Sequence, residues 1–585
     1  MALPVNDDRI SIALNTSDVD VLVVGTGVAG ALAALAAEQR GLKVLLVEKD
    51  SFFGGATGIS GGWVWLPGNP LARAAGIDDK RADMVSYIEQ ESGSRFDPLR
   101  VTAFLENVPQ VLRFMEQHTA VRLACPPIAP DYHAEWPGGM RGGRSLSTQP
   151  LDARVLGEQV RRIRPPLREL SIFGMMLGSG QEVRHFMRAT RSFESAGFVL
   201  RRFLRHARDL VLFGRGMTLT NGGALSGRLL KSVLDRGIPV WYQSAVRQLV
   251  FEDGAVRGAY VERDGQTTRI NASHGVILAT GGFSRDASRR ARLFDHVAQG
   301  QQHGSLPPES ITGDGIRLAE SVGGCMELGF TNPGAWAPVS RVPRPDGSVG
   351  LFPHFIDRAK PGVIAVLQDG KRFVNESVSY HEFVQALLRH SRNRKDALCY
   401  LVCDHRAIRS YGLGAARPFP VPLSRHLRSG YLVKGASLAD LARQIGVDPD
   451  GLAETVEEFN RDAAQGTDSR FGKGSRAYGR NLGDPLVTPN PCVAPLANGP
   501  YYAVEVGVGD LGTFAGLKTD SRARVLDLDG EPVPGLHAAG NDMASLFGGA
   551  YPGAGAMIGP AMTFGYIAGC AIEPVRSKQA EPAMS

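Results

Sequence analysis

The apolar run from Asp18 to Val24 leads straight into Gly25-Thr26-Gly27-Val28-Ala29-Gly30, and an alanine-rich stretch follows to about Arg40. This order leaves few options, because a buried strand must turn through backbone that glycine alone tolerates and continue as a helix. Lys43 to Val47 then reads as a second strand, ending in Glu48, which stands 21 residues beyond Gly27. The unit is a βαβ dinucleotide fingerprint. Gly25 permits the tight turn, Gly27 lets a pyrophosphate approach the backbone, and Gly30 allows helix and strand to pack closely. Val28 and Ala29 open the helix, whose positive end and free amides stabilise phosphate charge. Glu48, followed by Lys49, is placed to accept hydrogen bonds from ribose hydroxyls.

A chain of 585 residues exceeds one typical core, so a second domain is expected beside this one. Met1 to Asp20 is polar, without the apolar run after a basic start that marks a secretory signal, and a cytoplasmic location is the expectation. No run of about eighteen apolar residues suggests a membrane-crossing helix. The six cysteines lack the spacing of a metal or redox pair and read as reduced packing residues; no metal is expected. The formal charge of +6 is concentrated, since Arg154 to Arg215 holds thirteen arginines against five acids. Ile172 to Leu177, Phe198 to Leu200, Phe203-Leu204 and Leu210 to Phe213 interleave apolar residues with that charge. The segment reads as a helical cap with solvated arginines, the alternative being peripheral attachment to the inner face of an anionic cell membrane. No nucleic-acid-binding motif accompanies the charge.

Further glycine-rich stretches decide between cofactors. They are Gly54-Gly55-Ala56-Thr57 with Ser60-Gly61-Gly62, then Ala279-Thr280-Gly281-Gly282, and finally Gly540-Asn541-Asp542. Together they resemble the flavin-binding domain of the fumarate reductase and succinate dehydrogenase flavoprotein superfamily. The resemblance implies an α/β fold: a discontinuous, Rossmann-like FAD-binding domain at 1–328 and 513–585, with the basic insert at about 154–215. An inserted α+β capping domain spans 329–512. It implies FAD held by these stretches, with Val246 and Ile558 completing the set. No histidine in the Gly54 to Gly62 stretch corresponds to the covalent attachment point of respiratory members, so noncovalent FAD is expected.

Three local signatures narrow the likeness: Pro130-Asp131-Tyr132, Arg372 to Tyr380, and Tyr551-Pro552-Gly553-Ala554-Gly555 running on to Pro560, with Asp510 to Thr513 as a further stretch. They resemble the 3-ketosteroid Δ1-dehydrogenases. That resemblance implies that the Tyr551 hydroxyl and Gly555 amide bind the steroid C3 carbonyl oxygen, an oxyanion-type site. Tyr380 would remove a C2 proton while hydride leaves C1 for the flavin, and Tyr132 would assist Tyr380. A tyrosine with a reference pKa of about 10 is a poor base unaided. His133 and His381 each follow one of these tyrosines and read as packing or supporting residues. Arg372 with Glu376 reads as a structural pair, with Asn375 shaping the site.

Alternatives are a fumarate reductase-like enzyme, a 3-ketosteroid 4-dehydrogenase acting on 5α substrates, and a flavin-binding interaction protein without turnover. The first wants a cationic pocket, whereas the matched positions here are phenolic. The electron acceptor is unassigned.

Overall fold

The computed structural model describes residues 18–575, apart from 179–181, 183, 184, 187, 188, 190, 191 and 393. Nearly all of the N-terminal stretch read for a signal, and part of the basic segment, therefore lie outside the described residues.

Strand Asp18–Val24 pairs in parallel with Val44–Val47 on one side and with Gln266–Leu278 on the other, Val21 standing opposite Val44 and Gly275. Val240–Trp241 extends the sheet beyond Val44–Val47, also in parallel. Gln266–Leu278 is thirteen residues long and takes different partners along its length. Its first half pairs antiparallel with Ala255–Arg263, and its end pairs in parallel with Pro532–Ala538, Val276 opposite Leu536. A strand from the far end of the chain thus enters the sheet beside the glycine turn. Continuous apolar strands suit this place, because helices cover the sheet and bury it.

Helix Val28–Gln39 is buried along almost its whole length, which explains its alanine content. The C-terminal helix Ile558–Ala571 lies directly on it, so close that a Cβ at Gly565 would run into the Ala29 carbonyl oxygen. A further helix, Asn221–Asp235, begins with two glycines after its first residue. Gly222 and Gly223 argue against a helix locally, but the Thr57 to Ser60 turn presses against them and donors meet acceptors there, Gly222 N to Ser60 O at 3.0 Å.

A second sheet is built on the long strand Tyr501–Thr513, which pairs antiparallel with Gly334–Pro343 and Leu398–Cys403 and in parallel with Gly304–Ser305. Val349–Pro353 and Val363–Val366 lie outside them. Helices Leu438–Ile445 and Pro449–Ala463 cover part of this sheet with a small apolar cluster of their own, including Leu441, Val456 and Phe459 against Ile364 and Val402. Helix Tyr380–His390 starts from a capping box in which the Ser379 hydroxyl accepts from the Glu382 amide and the Glu382 carboxylate from the Ser379 amide. A cavity lies where the two sheets meet.

In the basic segment, helix Phe193–Phe213 is turned inside out. Ser195, His206 and Asp209 are buried, whereas Phe193, Leu200, Leu204 and Val211 are exposed. The exposed residues are spaced by seven, four and seven, which is one helical face. Buried polar groups hold the other face, His206 Nε2 meeting the Phe173 carbonyl at 2.9 Å and Asp209 accepting from the Met217 amide at 3.2 Å. No described helix is long and apolar enough to cross a membrane. All six cysteines are free thiols, Cys399 and Cys403 buried among them.

Candidate active site

The cavity has a volume of about 2910 Å3. It opens at the carboxyl ends of the parallel strands, where ligands enter doubly wound sheets. Its first arm is walled by Gly25, Gly27, Val28, Ala29, Glu48, Lys49, Gly55, Ala56 and Thr57. Ser60, Gly61, Gly62, Val246, Ala279, Thr280 and Gly281 continue the wall, and Gly540, Asn541, Gly555 and Ile558 close it. Gly30 and Gly54 stand behind this surface, the Gly54 amide donating to Thr26 Oγ1 at 3.0 Å. Gly25 has φ +105°, and a Cβ there would run into the Ala279 carbonyl, so only glycine fits the turn.

This arm suits a dinucleotide. Helix Val28–Gln39 has Gly27 as its N-cap and no side-chain cap, leaving its positive end facing the cavity. The Val28 amide donates to Thr57 Oγ1 at 3.1 Å. Buried Glu48 accepts from the Thr26 amide at 3.0 Å and hydroxyl at 2.5 Å and from the Asp50 amide at 2.9 Å, which leaves Oε1 a lone pair for a hydroxyl donor. Burial raises its pKa. Lys49 turns outward to Asp314 at 2.8 Å and Thr312 at 2.6 Å. Asp542 ties the two remaining glycine turns together, accepting from the Thr280 and Gly282 amides at 2.5 and 2.9 Å. Among the described residues, no group of three or more His, Cys, Asp or Glu is arranged to hold a metal ion.

Beyond this arm stand the phenols. Tyr132, Tyr380 and Tyr551 all line the cavity and are buried. The Tyr132 and Tyr380 hydroxyls lie 3.1 Å apart, and the Tyr551 ring is 5.6 Å from Tyr132 and 5.2 Å from Tyr380. Gly555, with φ +95°, packs so tightly on the Trp63 backbone that a side chain has no room. A fourth phenol joins them. Tyr478, on the short helix Ala477–Leu482, has its ring 4.4 Å from that of Tyr132 and also lines the cavity. Nothing local in the sequence marks it; only the fold brings it here. Phe355 closes the group, 5.0 Å from Tyr380.

The segments carrying the phenols are bonded to one another. The Pro552 carbonyl accepts from the Tyr132 amide at 2.9 Å and from the Tyr87 hydroxyl at 2.8 Å. His381 receives the Trp336 amide on Nδ1 at 3.1 Å and meets the Gly549 carbonyl with Nε2 at 3.1 Å, which joins the Tyr380 helix to the Tyr551 loop. Burial pushes this imidazole down to about 4, so it is neutral. His133, read as a packing or supporting residue, has partners that spacing could not show: Glu91 at 2.6 Å and Glu382 at 3.1 Å. Arg372 bonds Glu376 at 2.7 Å and Asp468 at 2.8 Å, and buried Arg358 donates to the Glu376 carbonyl at 2.8 Å. Together these fix the turn before Tyr380. Asn375 bonds Gly472 O at 2.8 Å and Ser377, holding that turn rather than facing the cavity. Asp131, beside Tyr132, accepts from Arg144 at 2.9 Å and Trp65 at 2.8 Å.

Burial is the largest influence on each phenol. It raises Tyr132 and Tyr380 well above the ordinary value, neighbouring phenols adding to the effect. Tyr478 and Tyr551 are pushed up to about 12. The group is uncharged at neutral pH and forms a buried, hydrogen-bonding end to a mostly apolar cavity.

Comparison with known proteins yields a consistent set of likenesses. The family model described as FAD binding domain matches residues 20–558. The 4-oxocyclohex-2-ene-1-carboxylate 5-dehydrogenase of Sinomonas cyclohexanicum is 41% identical over 551 residues, 94% of this chain and 93% of that protein. The 3-oxosteroid 1-dehydrogenase of Mycobacterium tuberculosis is 34% identical, over 95% of this chain and 98% of its own length. Among solved structures, a 3-ketosteroid delta1-dehydrogenase from Sterolibacterium denitrificans, in complex with 1,4-androstadiene-3,17-dione, superposes with a TM-score of 0.87 at 33% identity. It covers 95% of this chain and 99% of that one.

Proposed function

Because the chain belongs to the FAD-binding oxidoreductase family that includes the 3-oxosteroid 1-dehydrogenases, we propose that it desaturates a cyclic ketone next to its carbonyl, a 3-ketosteroid at the 1,2 bond. The observation that carries this reading is the cluster of buried, neutral phenols at the end of a mostly apolar cavity, beside an arm that fits FAD. FAD, bound noncovalently by the glycine-rich turns, supplies the hydride acceptor. The Tyr551 hydroxyl and Gly555 amide grip the ketone oxygen and stabilise the charge that develops on it. Tyr380 takes a proton from the adjacent carbon, and Tyr132 shares its hydrogen bond. Since burial opposes the phenolate, turnover rises with pH while Tyr380 limits it, by about tenfold per unit below its pKa.

The rest of the cavity suits an extended apolar ring system. Ile172, Phe173, Met176, Val199 and Phe203 line it, all from the basic segment. The outward face of helix Phe193–Phe213, flanked by Arg201, Arg205 and Arg208, fits an anionic membrane surface, and the same helix forms the cavity wall. This arrangement supports peripheral attachment, with the cavity opening toward the membrane.

A second reading has one observation in its favour. Arg417 lines the cavity, bonded only to the Glu169 and Ser171 carbonyls, without a carboxylate partner among the described residues. An uncompensated guanidinium suits a ring ketone that carries a carboxylate, such as 4-oxocyclohex-2-ene-1-carboxylate. Anaerobic mixing of the FAD-loaded protein with 3-ketosteroids, oxo-cyclohexane carboxylates and dicarboxylates separates the readings. Bleaching of the oxidised flavin band by 3-ketosteroids is expected; bleaching by ring carboxylates alone favours the second reading, and no bleaching by any ketone removes both.

A further inference from the structure

Two of the phenols sit on segments that meet through a single histidine. His133 directly follows Tyr132, and its two ring nitrogens face carboxylates from different helices: Nδ1 lies 2.6 Å from Glu91 on Arg81–Ser92, and Nε2 lies 3.1 Å from Glu382 on Tyr380–His390. A neutral imidazole has one N–H and one lone pair, so it can donate to only one of these acceptors. Only the imidazolium satisfies both. Glu382 is two residues from Tyr380, and its same oxygen accepts from Arg476 at 2.9 Å, just before the helix that carries Tyr478. Glu135, two residues beyond His133, accepts from the Ala477 amide at 2.6 Å, at the start of that helix. One chain of charge therefore runs Glu91, His133, Glu382, Arg476, and joins the segments of Tyr132, Tyr380 and Tyr478.

Resting on the ketone dehydrogenase reading above, we propose that His133 is a positioning residue. As an imidazolium clamped between Glu91 and Glu382, it holds the Tyr132 loop against the Tyr380 helix, so that the two hydroxyls stay in hydrogen-bond contact. Its surroundings keep the charge in place. Two carboxylates and one guanidinium face it from three helical segments, Trp136 stacks on its ring at 4.0 Å, and its amide donates to the Tyr87 hydroxyl at 3.3 Å. Asp131 lies on the same loop, already taken by Arg144 and Trp65, and His381 on the opposing helix is neutral. Burial works against the charge, yet the bonds to Glu382 and Glu91 hold the imidazolium up to about 9. Loss of that proton sets a lone pair against a carboxylate and opens the clamp.

The clamp can be tested without any substrate. In FAD-loaded protein carrying ring-labelled histidine, the NMR signal missing from His133→Gln is expected to titrate near 9; titration near 6.5 would overturn the charged clamp. This outcome is independent of which ketone, if any, bleaches the flavin. With the substrate that bleaches it, wild-type turnover is expected to rise with pH and fall again above about 9. His133→Gln should lose about tenfold to a hundredfold in kcat with KM within about threefold, and the alkaline fall should disappear. In Glu382→Gln a neutral imidazole can donate to Glu91 and accept from the amide, so the alkaline fall should vanish there as well. Wild-type pH profiles in both variants would sink the positioning role, and if His133→Gln fails to keep its flavin, the Glu382→Gln profile alone decides.

Discussion

Removing one oxygen from Tyr380 leaves a ring of nearly the same shape in the same buried place, so Tyr380→Phe isolates its chemistry. Turnover is expected to fall by roughly 10²–10⁴-fold while flavin content and the melting midpoint stay close to wild type. If Tyr551 is the oxyanion donor proposed above, Tyr551→Phe should cost about 10²–10³-fold. Near-native turnover in the first variant would reject Tyr380 as the base. His133 has a consequence for stability too. Its folded value of about 9 lies above the ordinary 6.5, so its contribution is complete below pH 6.5 and disappears as pH rises through about 9. Melting midpoints of the wild type should therefore drop more steeply between those limits than those of His133→Gln; parallel curves would show that the pair interaction is energetically silent.

Among whole elements, two helices show opposite uses of surface. The C-terminal helix meets Val28–Gln39 with almost no space between backbones, since a Cβ at Gly565 would strike the Ala29 carbonyl. Gly565→Leu must push the two helices apart and is expected to cost about 3 kcal/mol in denaturant unfolding, with flavin affinity falling as Gly27 moves. A wild-type midpoint would mean that the helices can slide past each other. Helix Phe193–Phe213 instead leaves its apolar face to solvent, with Phe193 99% and Val211 85% exposed. Leu204→Glu with Val211→Glu should release the protein from sedimenting anionic vesicles while leaving the fold intact. Unchanged sedimentation of the double variant would assign the face to some other role.

At the scale of the whole molecule, the dinucleotide arm draws its walls from the first sheet and both ends of the chain, so FAD should act as a clasp. At free FAD about 100 times its Kd, stability should rise by about 2.7 kcal/mol, seen as a higher melting midpoint for the loaded protein. Equal midpoints with and without FAD would contradict the arm's assignment. Much of this arm is legible along the chain, because a strand, a glycine turn and a helix are local events that neighbouring residues dictate. The phenols are legible only as motifs matched to a family. Tyr478 and the partners of His133 are not legible at all, since Glu91, Glu382 and Arg476 meet His133 only after distant helices have packed. The interleaved charge of the basic segment is visible in the sequence, but the helix's inversion depends on backbone partners at Phe173 and Met217, which reach His206 and Asp209 only in the folded chain.

The 3.1 Å contact between Tyr132 and Tyr380 joins residues 248 positions apart. Such a contact is expected to close late, because the loop between its ends is costly to order. In refolding from denaturant, helical signal and even flavin fluorescence quenching should therefore return ahead of turnover. Catalysis becomes the last property the chain regains, and a sensitive clock for the final docking of its two sheets.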